Sequence, residues 1–395
     1  MSTPLLSLII PAKDCAEYLP TLFESLLFQG TEPGGNFDLS ALQIIFINDG
    51  GTDNTPEVLN EYGSRFADFT VLTNPEATGL ANGRNQGLEE ARGRYIQFLD
   101  GDDWLSPGLL TTLTAAIDGL GVDFVRTDHT TVLGNKREIR RAPMALRNRA
   151  LNPRVGILPS HKSTMVDYPY AWAGIFDGKL RETGMLRFPK DFMTAEDRSW
   201  IWNLHLNAES FAVVSHPGVC YRRGLSSSLT QIFDERQLMF LDAFELIFDL
   251  IDNDRERELL YPKAARNWLA LLHHHHKRFI DLAAHAEAMH ILGLNDSQAS
   301  GREADPSAGR HSQQFEDAVS LAIQRIEAQK AEQIPPAQHI PHSLIEQLRN
   351  RGQQVSARIP RTVLLAEVAD STTERRSHVD WFLPSEVDVT GKAPK

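Results

Sequence analysis

Short apolar runs alternate with helix-forming segments in the first third of the chain, and this alternation is the strongest constraint on the fold. Five runs have the length and composition of buried strands: Leu5–Pro11, Leu42–Ile47, Thr70–Thr73, Tyr95–Leu99 and Asp123–Thr127. Between them, apolar residues recur at helical spacing or follow helix-start signals. Strands that alternate with helices predict an α/β fold with a mostly parallel, doubly wound sheet.

Helix boundaries are predicted from capping residues. Thr55 is expected to cap the helix after the second strand, with Pro56 at its first position. Gly93 is expected to close the helix after the third strand.

The fourth run ends in the acidic sequence Asp100-Gly101-Asp102-Asp103. Unpaired carboxylates at the end of a buried strand are costly, so a cation is expected beside them. Mg²⁺ or Mn²⁺, held by one or two carboxylates and by substrate phosphates, fits this composition. An acidic turn without a metal is the other interpretation.

Ligands of such sheets bind outside the carboxyl ends of the strands. Pro11, Asp49 and Asp100 all lie at predicted strand ends. The sequence therefore predicts one ligand site at this edge of the sheet.

Five motifs in this order resemble those of the family 2 glycosyltransferases: Ile10–Asp14, Asn48–Asp53, Gly79–Asn85, Asp100–Asp103 and Ala195–Asp197. The resemblance extends over residues 5–230, although Gly51 stands where the family commonly has serine. It implies a GT-A fold, Rossmann-like in its sheet, and an inverting transfer of a sugar from a nucleotide-sugar donor, by preference a UDP-sugar.

The resemblance also implies donor-binding residues. Asp49 would accept a hydrogen bond from a uracil imide or a ribose hydroxyl, and the turn that begins at Pro11 would line the other side of the base. The implied donor-binding set is Pro11, Ala12, Asp14, Asp49, Asn82, Arg84, Asn85 and Asp100.

Metal ligands are implied in the same way. Asp102 would be the principal ligand of Mn²⁺ or Mg²⁺, and Asp100 would lie beside the ribose or the metal. Asp103 is either a further ligand or a residue that hydrogen-bonds backbone amides, and both functions remain open. The metal would act as a Lewis acid on the departing phosphate oxygens.

Glu196 and Asp197 begin a segment with helical spacing. Acidic residues are favourable in the first turn of any helix, which is the simplest interpretation. They also match the Glu-Asp motif of the family, and the resemblance implies that Asp197 is the general base for the acceptor hydroxyl. Glu196 would orient Asp197 or contact the acceptor.

Two further groups of residues are candidates for ligand contacts. Arg222 and Arg223 precede a serine-rich stretch that contains Ser226, and these residues are expected to close over a diphosphate, unless they form an exposed basic turn. Tyr170 and Trp172 lie where the family places its acceptor pocket, and aromatic faces stack well on sugars. A core tryptophan is the alternative for Trp172.

The predicted domains follow from the extent of the resemblance and from the spacing of apolar residues beyond it. Residues 1–230 form the catalytic domain, with a donor half over 1–128 and an acceptor half over 129–230. A helical extension packed on it follows over 231–292, then a linker or loop over 293–312 and a helical or mixed region over 313–390, as the apolar spacing changes along the chain. The C-terminal region would form a homo-oligomer, hold a polymeric acceptor or support the catalytic domain.

Composition narrows the partners and the compartment. A net charge of −12 argues against a nucleic-acid partner, and only two cysteines, Cys15 and Cys220, fit a reduced cytoplasm. No apolar run approaches the ~18 residues of a membrane span. The basic segment 136–149 leaves three interpretations open: peripheral contact with a lipid-linked acceptor at the inner membrane face, recognition of an anionic polyol-phosphate acceptor, or a solvated loop.

The sequence therefore predicts a metal-dependent hexosyl- or N-acetylhexosaminyl-transferase that acts on a cell-surface glycan, a polyol-phosphate or a lipid-linked acceptor. An inactive glycan-binding or scaffold protein of the same fold is one alternative. A nucleotidyltransferase is the other, although the turn over Pro11–Asp14 lacks the glycine-rich basic loop expected of that class.

Overall fold

The computed structural model describes residues 3–31, 37–225, 234–291, 317, 319–320, 323 and 340–369. The chain divides into two compact units. The first unit lies within residues 1–232 and 242–263, and the second within residues 233–241 and 264–395. All five sequence motifs belong to the first unit.

The described part of the first unit contains eleven strands: β1 Leu6–Ala12, β2 Leu42–Asp49, β3 Asp68–Asn74, β4 Tyr95–Phe98, β5 Trp104–Leu105, β6 Phe124–Thr127, β7 His129–Leu133, β8 Lys136–Arg140, β9 Gly174–Asp177, β10 Phe211–Val214 and β11 Val219–Arg222. Seven of them form one sheet in the order β10-β6-β9-β4-β1-β2-β3. β9 is antiparallel to β4 and β6, whereas the other neighbours are parallel. The prediction of a mostly parallel α/β sheet is confirmed. The antiparallel strand β9 was not predicted.

The burial of the central strands explains why their sequences are continuous apolar runs. Every residue of β1 and β2 is buried, as expected for parallel strands that are covered on both faces. β3, at the edge of the sheet, contains exposed residues instead. Pro11 pairs with Ile47 and Ala12 with Asn48, so the turns after β1 and β2 begin at the same level.

The described helices of this unit up to residue 225 are α1 Leu19–Gln29, α2 Thr55–Gly63, α3 Leu80–Glu90, α4 Leu109–Leu120, α5 Lys179–Glu182 and α6 Glu196–Asn207. α3 packs unusually close to β1. A Cβ atom at Gly87 would lie 2.3 Å from Ile9 Cγ2, so only glycine permits this approach.

Two predicted helix ends are wrong. Thr55 is the first residue of α2, and Asn54 occupies the N-cap position that was predicted for Thr55. Gly93 does not close α3, which ends at Glu90. Gly93 is required for packing instead, because a Cβ atom there would lie 2.4 Å from the backbone nitrogen of Ser7.

β5, β11, β7 and β8 form a second sheet in that order. β7 and β8 are an antiparallel hairpin in which His129 pairs with Arg140 and Leu133 pairs with Lys136. β8 is an edge strand, and all five of its residues are exposed.

The described residues after 233 form four longer helices: α7 Met239–Asp252, α8 Arg257–Ile291, α9 Ile340–Ser356 and α10 Arg361–Ala369. Within the second unit, Trp268 Nε1–H donates to Ser356 Oγ at 3.0 Å, and the rings of Phe240 and His275 stack 4.3 Å apart. The predicted linker over 293–312 lies outside the described residues. None of the helices in the described ranges combines the length and the apolar character needed to cross a membrane.

Candidate active site

The turns after β1 and β2 hold each other at the carboxyl edge of the large sheet. Asp14 Oδ1 accepts a hydrogen bond from the Thr52 N–H at 2.6 Å, and Asp53 Oδ2 accepts one from the Ala16 N–H at 2.8 Å. Asp14 has a φ of 51°, which is uncommon for a residue other than glycine. The structure thus brings Asp14 to the predicted site edge and engages its carboxylate with the neighbouring turn.

Pro11 and Ala12 are buried at the end of β1. A Cβ atom at Gly83 of α3 would lie 3.1 Å from Pro11 Cβ, and one at Gly101 of the acidic loop would lie 2.5 Å from Ala12 Cβ. α3 and the acidic loop therefore pack directly against these two residues. Their contact with a donor base stays a prediction.

Asp49 binds groups of the segment that leads into α3. Its carboxylate accepts hydrogen bonds from the N–H groups of Thr78, at 2.8 and 3.0 Å, and of Gly79, at 2.8 Å. The Thr78 hydroxyl and the Asn74 amide donate to the same carboxylate at 2.9 and 2.8 Å. These bonds engage both oxygens and hold the N-terminus of α3, where N–H groups lack helical partners. Asp49 thus holds the start of α3 in place, and its contact with a donor base or ribose stays a prediction.

Asn48 is a residue that the sequence analysis did not select. Successive side chains of a strand point to opposite faces, so Asn48 points away from the α3 contacts of Asp49. Its Oδ1 atom is buried and has no hydrogen-bond partner among the described residues. The signal available in the sequence was its position beside Asp49 at the end of a buried strand.

Arg84 joins the acidic loop to the first turn of α6. Its Nη2 donates to Asp100 Oδ1 and its Nη1 donates to Glu196 Oε1, both at 2.8 Å. Only 3% of the Arg84 side chain is exposed, so these ion pairs are shielded from water. The Phe188 ring covers the guanidinium group, with its centroid 5.1 Å away. Two acidic motifs that are distant in sequence are thereby brought together.

Asp103 and Asp102 have different environments in the acidic loop. Asp103 is buried, and its Oδ1 accepts a hydrogen bond from the Arg222 N–H at 2.7 Å. This contact favours the amide-binding function of Asp103 over that of a metal ligand. Asp102 is half-buried, and burial together with the charge of Asp100 raises its pKa to about 6.

The acidic loop has oxygen ligands that suit a hard divalent cation. No group of three or more Asp, Glu, His or Cys side chains in the described parts of the chain is arranged to hold a metal ion. Asp100 and Asp102 nevertheless repel each other, as the raised pKa of Asp102 indicates, and a cation between them would relieve that repulsion. Mg²⁺ commonly binds through one or two carboxylates and substrate phosphates, so this pair fits such a site.

α6 begins in a strained conformation. Ala195, its N-cap residue, has a φ of 60°, in the left-handed region. Glu196 is buried and paired with Arg84, whereas Asp197 is half-buried. Burial and the charge of Glu196 raise the pKa of Asp197 to about 7. A pKa near neutrality suits a general base.

Asn82 and Asn85 use their amides within the protein. Asn85 donates to the Phe188 carbonyl at 3.0 Å and accepts from the Phe188 N–H at 2.9 Å, and Asn82 donates to the Thr78 carbonyl at 2.9 Å. These bonds hold Phe188 over Arg84 and support the start of α3. A direct contact of either asparagine with a nucleotide stays a prediction.

Arg222 lies beside the acidic loop, between two aromatic rings. Its guanidinium carbon is 4.8 Å from the Tyr18 ring centroid and 4.7 Å from that of Trp104. Its Nε donates to the Asp102 carbonyl at 3.0 Å. This position places a cation next to the carboxylates of the loop.

Arg223 and Ser226 were expected to act with Arg222. Arg223 is exposed and lies over the Tyr221 ring, 5.5 Å from its centroid. Its contact therefore differs from those of Arg222, and joint action of the two arginines on a diphosphate stays a prediction. Ser226 lies outside the described residues.

An aromatic cluster occupies the predicted acceptor region. Trp172 is 3% exposed, its ring lies 4.8 Å from that of Tyr170, and it contacts His129 at 5.1 Å. The expectation that Trp172 offers its face to a sugar is therefore not supported, because the ring belongs to the core. Tyr170 is half-buried and remains the better candidate for an acceptor contact.

Arg126, in β6, is a second residue that the sequence analysis did not select. Its Nη2 donates to the carbonyls of Tyr168 and Tyr170 at 3.0 and 2.7 Å. Nε and Nη1 are buried and have no partner in the described ranges, and burial lowers the pKa of Arg126 to about 10. An arginine within a predicted buried strand was the signal, since such residues are rarely buried unless they are paired.

A sequence model described as "Glycosyl transferase family 2" matches residues 7–216, more than half of the chain. The "Uncharacterized glycosyltransferase EpsJ" of Bacillus subtilis (strain 168) is 29% identical over 230 residues, which are 58% of this chain and 64% of EpsJ. The "Poly(ribitol-phosphate) beta-N-acetylglucosaminyltransferase TarS" of Staphylococcus aureus (strain Mu50 / ATCC 700699) is 24% identical over 246 residues, which are 61% of this chain and 40% of TarS. The chain therefore spans less than two thirds of either relative.

The structure is also similar to the crystal structure of S. aureus TarS 1–349 in complex with UDP-GlcNAc. The TM-score is 0.61 at 17% sequence identity, and the alignment covers 95% of this chain and 89% of the TarS chain. At this identity the similarity shows the fold alone. The fold is GT-A, as predicted.

Proposed function

The chain belongs to glycosyl transferase family 2, and from this premise we propose that it transfers a sugar from a UDP-sugar to a hydroxyl group of a glycan-type acceptor, with inversion at the anomeric carbon. The observation that carries the proposal is the pairing of Arg84 with both Asp100 and Glu196. This pairing holds the acidic loop beside the turn that contains Asp197. Phosphate chemistry and proton transfer would then take place at adjacent positions.

Donor binding is proposed at the carboxyl edge of the large sheet. Asn48 Oδ1, which has no partner among the described residues, would accept a hydrogen bond from the imide of a base after a side-chain rotation toward the site, and the turn at Asp14 would line the opposite side. Arg222, beside the acidic loop, would contact the diphosphate. Asp49 and Asn85 would act indirectly, since they hold α3 and Phe188 in place.

Asp197 is proposed as the general base. The acceptor oxygen would attack the anomeric carbon as its proton moves to Asp197, and the carbon–oxygen bond to the diphosphate would break with its electron pair leaving on UDP. A pKa of about 7 lets Asp197 be deprotonated before the reaction and still accept the proton. Glu196 would orient it through the ion pair with Arg84.

Asp100 and Asp102 would hold Mg²⁺ or Mn²⁺. When bound, the metal supplies Lewis-acid stabilisation of the negative charge on the departing diphosphate. The carboxylates of the loop contribute by fixing its position, and Asp103 contributes by holding the loop to β11.

The first donor to test is UDP-GlcNAc, because it is named in the TarS complex to which this fold is similar. A cell-surface glycan, a polyol-phosphate or a lipid-linked glycan is proposed as the acceptor, since TarS is named for poly(ribitol-phosphate). We propose that the reaction takes place in the cytoplasm. Both cysteines are free thiols buried in the protein, which is compatible with a reducing compartment.

Thermal unfolding with a panel of UDP-, GDP-, CDP- and dTDP-sugars, each with and without Mn²⁺, tests the donor site. We expect stabilisation by one nucleotide class, UDP, and a larger shift with metal, because a ligand that binds only the native state raises its stability. Donor hydrolysis or transfer would then be measured with the stabilising sugar.

Two outcomes would contradict the proposal. Stabilisation by nucleotide-sugars without turnover in any acceptor mixture would favour the inactive binding protein. Release of pyrophosphate from a nucleoside triphosphate and a sugar phosphate would instead identify a nucleotidyltransferase.

A further inference from the structure

The β7–β8 hairpin carries a surface for which the proposed reaction has no use. We define the hairpin surface as Leu133, Lys136, Arg137, Ile139 and Arg141. Leu133 is 54% exposed and Ile139 is 59% exposed, which places both among the most exposed large apolar residues of the described chain. The three cations are exposed as well.

Strand register separates the two apolar side chains. Leu133 pairs with Lys136 and Ile139 pairs with Thr130, and paired residues lie on the same face of a sheet. Residues 136 and 139 lie on opposite faces because they differ by an odd number of positions. Leu133 and Ile139 therefore project from opposite faces of the hairpin end, and each has a cation beside it.

The charge of this segment is opposite to that of the chain. Residues 136–149 contain six cations and one acid, Glu138, in a chain of net charge −12. Arg147 is paired with Asp128 at 2.8 Å, and Arg140 is paired with Glu138 at 2.9 Å. The other four cations have no ion pair within the described ranges: Lys136, Arg137, Arg141 and Arg149.

We propose that the hairpin surface binds the anionic surface of a lipid bilayer. Cations next to exposed apolar side chains are the combination that binds such interfaces, because the cations attract anionic headgroups while the apolar groups leave water. A soluble polyanion offers no apolar phase for Leu133 and Ile139, so the bilayer is favoured over an anionic polymer. The negative charge elsewhere on the chain would restrict contact to the end of the hairpin, where Leu133 and Ile139 would enter the bilayer from its two faces.

The hairpin also leads toward the proposed acceptor region. His129, the first residue of β7, lies 4.9 Å from Tyr170 between ring centroids. A membrane-held acceptor would thus approach the aromatic cluster along the hairpin. This use of the surface rests on the proposed function, whereas bilayer binding itself does not.

Co-sedimentation of the full chain with vesicles tests the proposal. Vesicles of phosphatidylcholine alone are compared with vesicles of phosphatidylcholine and phosphatidylglycerol in equal amounts. Both are tested at low and high salt. Wild-type protein is expected to bind the anionic vesicles, and the double substitution Lys136→Glu/Arg137→Glu is expected to weaken binding at least about tenfold. Ile139→Ser should weaken it by a smaller factor.

Matched controls are available on the same unit. Lys162→Glu/Arg255→Glu reverses two other exposed cations, and Leu259→Ser removes an apolar residue of equal exposure, 59%. Equal effects of hairpin and control variants, or equal binding to both vesicle types, would overturn the proposal. Binding of inorganic polyphosphate through the hairpin without vesicle binding would overturn it in favour of an anionic acceptor.

Stabilisation by UDP-GlcNAc is measured on the same variants. Retained stabilisation shows that a hairpin variant is folded, so that its loss of vesicle binding is informative. If wild-type protein binds vesicles but no nucleotide-sugar, the donor proposal fails while the bilayer proposal stands.

Discussion

Two acidic segments meet at Arg84, and in each of them one carboxylate pairs with this arginine while a nearby carboxylate has a raised pKa. In the acidic loop, Asp100 pairs with Arg84, whereas Asp102 has a pKa raised to about 6. In the first turn of α6, Glu196 pairs with Arg84, whereas Asp197 has a pKa raised to about 7. In each segment burial is the largest cause of the raised pKa, and the negative charge of the paired carboxylate adds to it. The Arg84 cation acts in the opposite direction on Asp197 but does not cancel these two effects.

The segments differ in what surrounds the raised carboxylate. Asp102 lies in a loop with Asp103 and near Arg222, an arrangement of charges suited to a metal and a diphosphate. Asp197 lies in the first turn of a helix, where the dipole favours the ionised form. Burial and Glu196 outweigh that effect and raise its pKa instead. This difference supports the proposed function, in which proton transfer takes place at the helix and charge neutralisation at the loop.

The largest expected effect is that of Asp197→Asn. If Asp197 is the base, the transfer rate should fall by about 10²- to 10⁴-fold, because an amide cannot accept the proton. Stabilisation by UDP-sugar should be unchanged. Single-turnover rates with saturating donor measure the difference.

Glu258→Gln is the matched control, an exposed acid-to-amide change in the first turn of α8. It should leave the rate unchanged. A wild-type rate in Asp197→Asn would remove the proposed division between the helix and the loop.

Arg84→Met tests whether the two segments depend on one cation. It leaves two carboxylates without their partner, and breaking a buried ion pair in this way costs about 3–5 kcal/mol. Urea unfolding should show this loss of free energy of unfolding. Arg65→Met removes the exposed pair with Glu24 and should cost no more than about 1 kcal/mol. Equal losses for the two variants would show that the pairing is not essential to the site.

The pH dependence of transfer and of stability tests whether the pKa of Asp197 is raised. Transfer should increase as pH rises through about 7, where Asp197 loses its proton. Its native pKa lies above the ordinary 3.8, so the stability it contributes is fully present below pH 3.8 and lost as pH rises through about 7. Asp197→Asn should therefore be more stable than wild type at pH 8, by on the order of 1–4 kcal/mol, and equally stable near pH 3. A constant difference between the two proteins over this range would contradict the assignment.

The smallest effect concerns the backbone that presents Asp197. Ala195 has a left-handed φ of 60°, which costs a residue with a Cβ atom about 1–2 kcal/mol. Ala195→Gly should raise the free energy of unfolding by up to about 1 kcal/mol. Ala208→Gly, at the extended C-cap of the same helix, should lower it. Thermal unfolding distinguishes the two, and a loss in both variants would argue against strain at Ala195.

Sequence patterns predicted the elements that are defined locally. β1 and β2 are long apolar runs, and α6 begins at its predicted position, because apolar spacing determines which face of an element is buried. β9 was missed because it is short and inserts between strands that are distant along the chain. Its pairing depends on the rest of the sheet.

The site was predicted as a set of residues but not as a set of contacts. Asp49 was selected as a donor contact, and the structure shows that its carboxylate also holds the start of α3, while Asn48 carries the unpartnered oxygen. Trp172 was expected to contact an acceptor and is buried. A residue type at a strand end indicates chemistry, whereas its partner is determined by which loop packs against it.

By itself, the sequence determined the family, the order of strands and helices along the chain, and the carboxylates gathered at one edge of the sheet, because these follow from residue type and local spacing. Only the tertiary structure decided which carboxylate is paired and which has a raised pKa. Arg84 lies far from Glu196 in sequence and 2.8 Å from it in space. Burial and charge repulsion act through space, so the pKa of Asp197 depends on neighbours that no local pattern specifies.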